Sequence, residues 1–229
     1  MMLNDKTVAA YTAILREELL LATGCTEPIA VAYCAAKLRE VLGGKPEEVL
    51  AEVSGNILKN VKSVVVPNTD GRRGIDAAIA VGIVAGDADA ELQVIANVTE
   101  NDAAAIQGYL DATSIKVTCP ETPCLLDIFL HGKREGHTAA VRVANNHTNI
   151  IYIEKDGEVL LEKPVTANAE DNLQDKSVLN VKDILTFAET VPLSAIEPII
   201  GRQIACNTAI AEEGLKNSWG ANIGSTLLQ

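Results

Sequence analysis

The stretch Gly24-Cys25-Thr26-Glu27-Pro28 separates two apolar segments of helical periodicity and places a cysteine at the start of the second segment. Thr26 or Glu27 can cap this second helix, and Pro28 suits its first turn because an N–H would be unpaired there anyway. Free backbone N–H groups and the positive end of the helix dipole favour a thiolate at this position. Cys25 is therefore a candidate metal ligand or nucleophile, although a small buried cysteine at a tight turn explains the same spacing.

Helices are predicted on both sides of this stretch and again near the end of the chain. Apolar residues recur at three- and four-residue steps from about Asp5 to Ala22, which predicts one amphipathic helix. The second helix is rich in alanine and is predicted to end at Gly43-Gly44. Two more helices are predicted over 181–189 and 194–216, and we expect the first two helices to pack with them.

Between residues 47 and 165 the pattern changes to short strands, helices and turns. Strands are predicted at these positions: 48–54, 64–66, 92–98, 115–118, 126–132, 137–144, 150–154 and 159–162. Asp156-Gly157 is a hairpin signal between the last two strands. We therefore predict an α+β fold with residues 1–46 packing on 166–229 as a helical layer. The inserted segment 47–165 forms an antiparallel sheet with flanking helices.

Length and charge limit the kind of protein. The chain has 229 residues, 48% of them hydrophobic, which suffices for one large domain or two small ones. Its formal net charge of −12 argues against nucleic acid and anionic membrane surfaces as partners. No stretch reaches the roughly 18 apolar residues of a membrane span, and residues 1–25 lack a signal-peptide pattern. We expect a cytoplasmic protein that acts on small molecules, without nucleic acid or membrane partners.

The five cysteines have spacings that can be tested for metal binding. Cys25 and Cys34 are nine residues apart, about two and a half helical turns, so their sulfurs should face opposite sides. Cys119 and Cys124 lack the close third cysteine of a ferredoxin-like pattern. Cys206 follows an apolar helical run and is predicted to be part of the core. No local set of these residues predicts a complete iron–sulfur site.

Several motifs together resemble one known family. These are the run Gly24 to Ala30, the stretch Val66-Pro67-Asn68-Thr69, the segment Gly71 to Gly74, and Asn146-His147-Thr148-Asn149-Ile150. They resemble the L-cysteine desulfidase family, which is related to the alpha chain of the iron–sulfur-dependent L-serine dehydratases. The resemblance spans most of the chain, but only the N-terminal part of that family. Family members continue well beyond it, and their remaining cluster-binding cysteines lie in a glycine-rich second half.

The resemblance implies a lyase of amino-acid catabolism that eliminates sulfide from L-cysteine, or water from L-serine, to give pyruvate and ammonia. It implies a [4Fe–4S] cluster with Cys25 as one metal ligand and the remaining ligands outside this chain. The substrate amino acid would be bound by Glu27, Asn68, Thr69, Gly71, Gly74 and Asn149. The chain would act as a homo-oligomer or with a C-terminal catalytic half.

The loop from Asn68 to Gly74 also has a purely structural explanation. Backbone N–H groups at the next helix start, with Arg72 or Arg73 nearby, suit a substrate carboxylate. A Gly-x-x-Gly turn with Asp70 capping the helix explains the same residues. Asp70 would oppose carboxylate binding if it pointed inward.

His147 is the candidate catalytic residue, as general base or as substrate donor. It is accompanied by Asn145, Asn146 and Asn149 at a strand end, where hydrogen-bonding side chains could meet a substrate. A turn built from asparagines accounts for these residues equally well, since asparagine tolerates left-handed backbone conformations.

Two other functions are compatible with the sequence. The chain could be a non-catalytic small-molecule-binding or assembly domain of a longer or two-chain protein, which the lack of clustered cysteines favours. A pyridoxal-phosphate enzyme with the same net reaction ranks lower because no lysine stands in a convincing phosphate-binding context.

Overall fold

A computed structural model describes residues 3–165, 174–218 and 221–228. The chain forms two compact units: a helical unit of Met1–Leu21 with Asp171–Gln229, and a sheet unit of Ala22–Glu170. The second helix thus belongs to the sheet unit, whereas the sequence analysis grouped residues 1–46 with 166–229. Of that predicted helical segment, residues 166–173, 219–220 and 229 lie outside the described residues.

The described residues contain helices at all four positions for which bounds were predicted, and also at Gly55–Val61 and Ile223–Leu227, where none was predicted. Their bounds are α1 Asp5–Glu18, α2 Thr26–Leu42, α3 Gly55–Val61, α4 Gly74–Ala85, α5 Ala103–Ala112, α6 Val181–Thr190, α7 Leu193–Lys216 and α8 Ile223–Leu227. Short 3₁₀ segments occupy Ala88–Gln93, Glu100–Asp102 and Lys176–Val178. Helix α2 ends as predicted, because Gly43 adopts a left-handed conformation with φ of 83°.

A six-stranded sheet in the order β2-β1-β3-β4-β5-β6 confirms the predicted α+β class. The strands are β1 Glu48–Val53, β2 Ser114–Thr118, β3 Asp127–Arg134, β4 His137–Ala144, β5 Ile150–Lys155 and β6 Glu158–Glu162. The sheet is mixed, not purely antiparallel, because β1 and β2 pair in parallel. The chain between these two strands carries α3, α4 and α5, which supplies the long crossover that parallel pairing requires.

Two predicted strands are wrong. The residues before Val66 form α3 and a turn, with only an isolated bridge between Val65 and Arg73. Residues 92–98 form a 3₁₀ segment and turns in which Val94 and Ile95 are buried. Short apolar runs do not distinguish a strand from any other buried segment.

The core of the sheet unit lies between the sheet and the helices α2 and α4. Helix α2 is buried over most of its length because its alanines allow close packing. A Cβ built on Gly82 of α4 would lie 2.2 Å from the carbonyl oxygen of Ala32 in α2. The two helix backbones can approach this closely only with glycine at that position.

The helical unit has a much smaller core. Tyr11 of α1 and Phe187 of α6 pack with ring centroids 5.4 Å apart, and Val191 completes the cluster. The Tyr11 hydroxyl donates to the carbonyl of Val178 at 3.1 Å. Within the described residues, no single helix is long and apolar enough to cross a membrane. Only α6 and α7 taken together meet that test, and they are bent by 100° at their junction.

Candidate functional site

The turn before α2 exposes Cys25 at the helix N-terminus. Gly24 has φ of +95°, and a Cβ there would lie 2.7 Å from Cγ of Pro67, so this turn packs against the loop 66–74. Cys25 is itself the N-cap residue, with φ −62° and ψ 125°. The prediction that Thr26 or Glu27 caps the helix is therefore wrong, because both residues already lie inside its first turn.

The Glu27 carboxylate connects side chains from two helices. The Cys25 thiol donates to Oε2 of Glu27 at 3.2 Å, and the Thr26 hydroxyl lies 3.4 Å from the same oxygen. The Asn60 amide of α3 donates to Oε1 of Glu27 at 3.0 Å. Both carboxylate oxygens of Glu27 thus accept hydrogen bonds, Oε2 from the Cys25 thiol and Oε1 from the Asn60 amide.

Asn60 is a site residue that the sequence analysis missed. It was overlooked because no helix was predicted between the strands at 48–54 and 64–66. Ser54 could have indicated the start of α3, since serine is a preferred N-cap residue of helices. Its hydroxyl accepts from the Ile57 N–H at 3.4 Å and donates to the carbonyl of Leu125 at 2.7 Å. These two bonds fix the start of α3 and so the position of Asn60.

Glu27 and Cys25 affect each other's ionisation. Partial burial raises the pKa of Cys25, and the hydrogen bond to Glu27 raises this pKa further. Partial burial also raises the pKa of Glu27, but the bonds from Cys25, its own backbone N–H and Asn60 outweigh that and leave the pKa below its ordinary value. The pair is therefore a thiol beside a carboxylate at neutral pH. The expected thiolate is not favoured, because the adjacent negative charge and burial exceed the effect of the helix terminus.

His147 belongs to the same site, on the turn between β4 and β5. Burial lowers the pKa of its imidazole, and the negative charge of Glu27 partly offsets that effect. The interaction is mutual, since His147 contributes to lowering the pKa of Glu27. A lowered pKa leaves the ring neutral at pH 7, which is the form that can accept a proton. We refer to Cys25, Glu27, Asn60 and His147 as the Glu27 cluster.

Asn149 supports the turn that carries His147. Its amide donates to the carbonyl of Ala144 at 3.0 Å, and its oxygen accepts from Nζ of Lys163 at 3.4 Å. Asn145 adopts a left-handed conformation with φ of 69°, as the alternative explanation of this segment required. The structure therefore places Asn149 as a positioning residue of the turn.

The polar side chains of the loop 66–74 hold the loop itself. Thr69 is fully buried, and its hydroxyl donates to the carbonyl of Val66 at 2.7 Å. The Asn68 amide donates to the carbonyl of Ile95 at 2.9 Å. Arg73 donates to the carbonyl of Ser63 at 2.7 Å. These side chains shape the loop that packs against Gly24.

Gly71 and Gly74 have different surroundings in that loop. Gly74 has φ of +90°, and its N–H donates to the carbonyl of Val64 at 3.3 Å. Gly71 has φ of +77°, and a Cβ there would meet nothing within 4 Å. Asp70 beside it is exposed and does not cap α4, because Arg73 is the N-cap residue of that helix. Gly71 thus leaves open space beside the loop backbone.

The remaining cysteines lie elsewhere. Cys34 is fully buried with its sulfur 3.3 Å from the carbonyl oxygen of Val141, and burial raises its pKa. Cys119 is exposed, Cys124 is buried, and Cys206 lies in the helical unit. Over the part of the chain that is described, no group of three or more His, Cys, Asp or Glu residues could hold a metal ion. Cys25 fits one position of a [4Fe–4S] ligand set, and these residues do not complete that set.

The fold and site together define an α+β protein with a cysteine, a carboxylate and a neutral histidine at one helix terminus. The chain is similar over its whole length to a UPF0597 protein of Treponema denticola, with 45% identity over 230 residues, covering 100% of this chain and 53% of the relative. UPF0597 proteins of Desulfitobacterium hafniense (44% identity, 99% of this chain and 53% of the relative) and Lachnoclostridium phytofermentans (45% identity, 94% and 51%) are similar to it too. The chain spans about half the length of these curated relatives. No family profile matches it. No solved structure matches it.

Proposed function

We propose that this chain is part of an iron–sulfur-dependent lyase that eliminates sulfide from L-cysteine, or water from L-serine, to give pyruvate and ammonia. The observation that carries the proposal is the Glu27 carboxylate, which accepts the Cys25 thiol and the Asn60 amide and interacts with the neutral His147 ring. This arrangement provides a sulfur ligand and a proton acceptor at one helix terminus.

The reaction requires a base for the α-proton of the substrate. His147 is the proposed base because burial lowers its pKa and keeps the imidazole neutral at pH 7. Loss of the Cα proton and of the Cβ leaving group creates a C=C bond, and the resulting enamine tautomerises and is hydrolysed to pyruvate and ammonia.

Cys25 is the ligand that this chain would contribute to a [4Fe–4S] cluster, which when bound offers an open iron that acts as a Lewis acid on the substrate. A metal-ligating cysteine must lose its proton, and the Cys25 thiol already donates to Glu27. Glu27 is thus the proposed acceptor of that proton. Asn60 would hold the carboxylate in place during this change.

The substrate carboxylate is proposed to meet the loop 66–74 at its backbone. The side chains of Asn68 and Thr69 donate hydrogen bonds to the carbonyl groups of Ile95 and Val66, so their proposed role is to hold the loop in its conformation. Gly71 leaves open space beside the backbone. The partner implied by this chemistry is a small amino acid.

A second candidate function is a non-catalytic domain that binds a small molecule or serves in assembly. The observation that favours it is the single thiol of the Glu27 cluster, since the described residues supply no metal-binding group. Such a domain would keep the Glu27 cluster as a binding surface without holding an iron–sulfur cluster.

The test is anaerobic reconstitution with iron and sulfide, followed by the visible spectrum and by pyruvate release from L-cysteine and from L-serine. It is performed on this chain alone and co-expressed with the part of the Treponema denticola relative that the chain does not match. We expect Cys25→Ser to abolish the visible absorption and the activity. His147→Gln should abolish activity and keep the absorption.

Cys119→Ser is the matched control, because Cys119 is also exposed but lies outside the Glu27 cluster. It should keep both signals. A colourless chain that releases no pyruvate, both alone and with the co-expressed part, would contradict the lyase and favour the binding domain.

A further inference from the structure

Helix α7 is long and remains without a packing partner on one side. It has 24 residues, and none of them is buried within the described part of the chain. The backbone hydrogen bonds of such a helix do not by themselves make it stable in water, because most helical stability in proteins comes from packing of an apolar face. An additional apolar surface against α7 would therefore stabilise the helix.

Three exposed apolar residues of α7 form a stripe, and a fourth, Ile210, is 70% exposed but lies about a third of a turn away from it. Leu193, Ile204 and Leu215 follow each other at eleven-residue steps, close to three helical turns, so they lie along the same side. Their exposed fractions are 78%, 60% and 44%. The stripe extends over about 33 Å at 1.5 Å per residue. We call these three residues the α7 stripe.

The other side of α7 is the one used inside the helical unit. Ile196 packs against the small cluster around Tyr11. Ile199 and Cys206 line a cavity of about 220 Å³ together with residues 18–21 at the end of α1. By helical geometry Ile199 and Cys206 are offset from the α7 stripe by a third to half of a turn, whereas Ile196 lies one turn after Leu193, beside that end of the stripe. Ile204 and Leu215 therefore lie away from the residues that line the cavity.

The relatives indicate what could cover the stripe. In the matched UPF0597 proteins this chain corresponds to 49–53% of the length, so each relative has about as many residues again as it shares with this chain. A helical unit with a small core and a long apolar stripe is what a second half of such a protein would need to pack on.

A second copy of this chain is a weaker candidate. Each copy carries a formal net charge of −12, which opposes self-association at low ionic strength. A membrane is weaker too, because α6 and α7 are bent by 100° where they meet, and the chain is acidic.

We propose that the α7 stripe is the docking surface for the remaining half of a UPF0597-type protein, which presents an apolar face to Leu193, Ile204 and Leu215. The proposal is independent of the reaction chemistry. It concerns assembly, and it holds whether the assembled protein is a lyase or a binding protein.

The test is co-expression of the full chain, tagged, with the part of the Treponema denticola relative that it does not match. The tagged chain is purified, and the dissociation constant is measured by titration of the separated components. We expect a stable complex, and Ile204→Glu should weaken it about tenfold or more, since it places a charge in the proposed apolar interface. Leu193→Glu at the other end of the stripe should act in the same direction.

Leu160→Glu is the matched control. Leu160 on β6 has a similar exposed fraction, 54%, and lies in the sheet unit. This variant should bind like the unmodified chain. Circular dichroism of each variant verifies that it is folded, and since both stripe residues are exposed, the unbound chain should keep its helix content.

Three outcomes would overturn the proposal. The first is no complex in the soluble fraction, or a complex that Ile204→Glu and Leu193→Glu leave unchanged. The second is self-association in sedimentation that Ile204→Glu abolishes, which would assign the stripe to a second copy. The third is binding to phosphatidylcholine vesicles that Ile204→Glu abolishes, which would assign it to a membrane.

Discussion

The sheet unit and the helical unit differ most in how much of their apolar surface they bury. In the sheet unit, α2 alone contributes eleven buried residues to the core. In the described part of the helical unit, α1 contributes two buried residues, α6 one and α7 none. Stability from burial scales with apolar area removed from water, so the sheet unit should be the stable part of the chain. The predictions below test this difference.

The largest effect is expected from Gly82→Ala in the sheet unit. The new methyl group would lie 2.2 Å from the carbonyl oxygen of Ala32, which is backbone and cannot rotate away. Separating α2 from α4 should cost about 3 kcal/mol of unfolding free energy. The measurement is urea unfolding followed by circular dichroism.

Gly108→Ala on α5 is the control for this change. A Cβ at Gly108 meets nothing within 4 Å, so the same substitution should stabilise the chain by up to about 1 kcal/mol through helix propensity. Equal effects of the two substitutions would show that close packing of α2 and α4 does not determine the stability of the sheet unit.

The second prediction concerns the small core of the helical unit. Phe187→Ala removes the ring that packs on Tyr11 and should cost about 3 kcal/mol. Because this core has few other buried residues, hydrogen exchange should show lost protection in α1 and α6 with the strands unchanged. Leu185→Ala on the same helix is the control, since Leu185 is 59% exposed and should have little effect. Equal loss of protection in both units would contradict the difference between them.

The third prediction compares the same capping chemistry in the two units. Ser54 caps α3 while 3% exposed and also donates to Leu125, whereas the Asn180 oxygen caps α6 in an exposed position. Ser54→Ala should cost about 1.5 kcal/mol, because the carbonyl of Leu125 also loses its donor. Asn180→Ala should cost about 0.5–1 kcal/mol. A larger loss at Asn180 in urea unfolding would reverse the expected order.

The sequence was informative where one local signal dominated. Strand β4 has the predicted bounds, and Gly43 ends α2, because alternation and a left-handed glycine each depend on neighbouring residues alone. It failed where distant packing decided the structure. Val94 and Ile95 are buried in turns. Helix α2 belongs to the sheet unit, where its small residues allow close packing with α4.

The candidate site shows the same division. Cys25 and His147 could be selected from their motifs, and Glu27 was predicted as a helix cap, a support of Cys25 or a substrate ligand, but its contact with Asn60 could not be predicted. Asn60 was missed because its contact with Glu27 joins residues that are 33 positions apart. The resemblance identified Asn68 and Thr69 as substrate-binding residues. In the structure their side chains donate hydrogen bonds to backbone carbonyl groups and stabilise the loop. Residue type and spacing suggest chemistry, but the partner of each polar group is set by tertiary structure.

The smallest effect is expected on the alkylation rate of a thiol. Cys25 in the sheet unit is compared with Cys206 in the helical unit. Cys25 reacts through its thiolate, and burial and the bond to Glu27 raise its pKa. In Glu27→Gln the negative charge is lost while an oxygen remains for Asn60, so the pKa of Cys25 should fall. Iodoacetamide should then modify Cys25 about threefold faster at pH 7.5, since more of the sulfur is ionised. Peptide mass spectrometry gives the rate at Cys25 and, as the internal control, at Cys206 in the helical unit, which should not change. An unchanged rate at Cys25 would mean that Glu27 does not hold the thiol proton, and the proposed proton transfer between them would lose its basis.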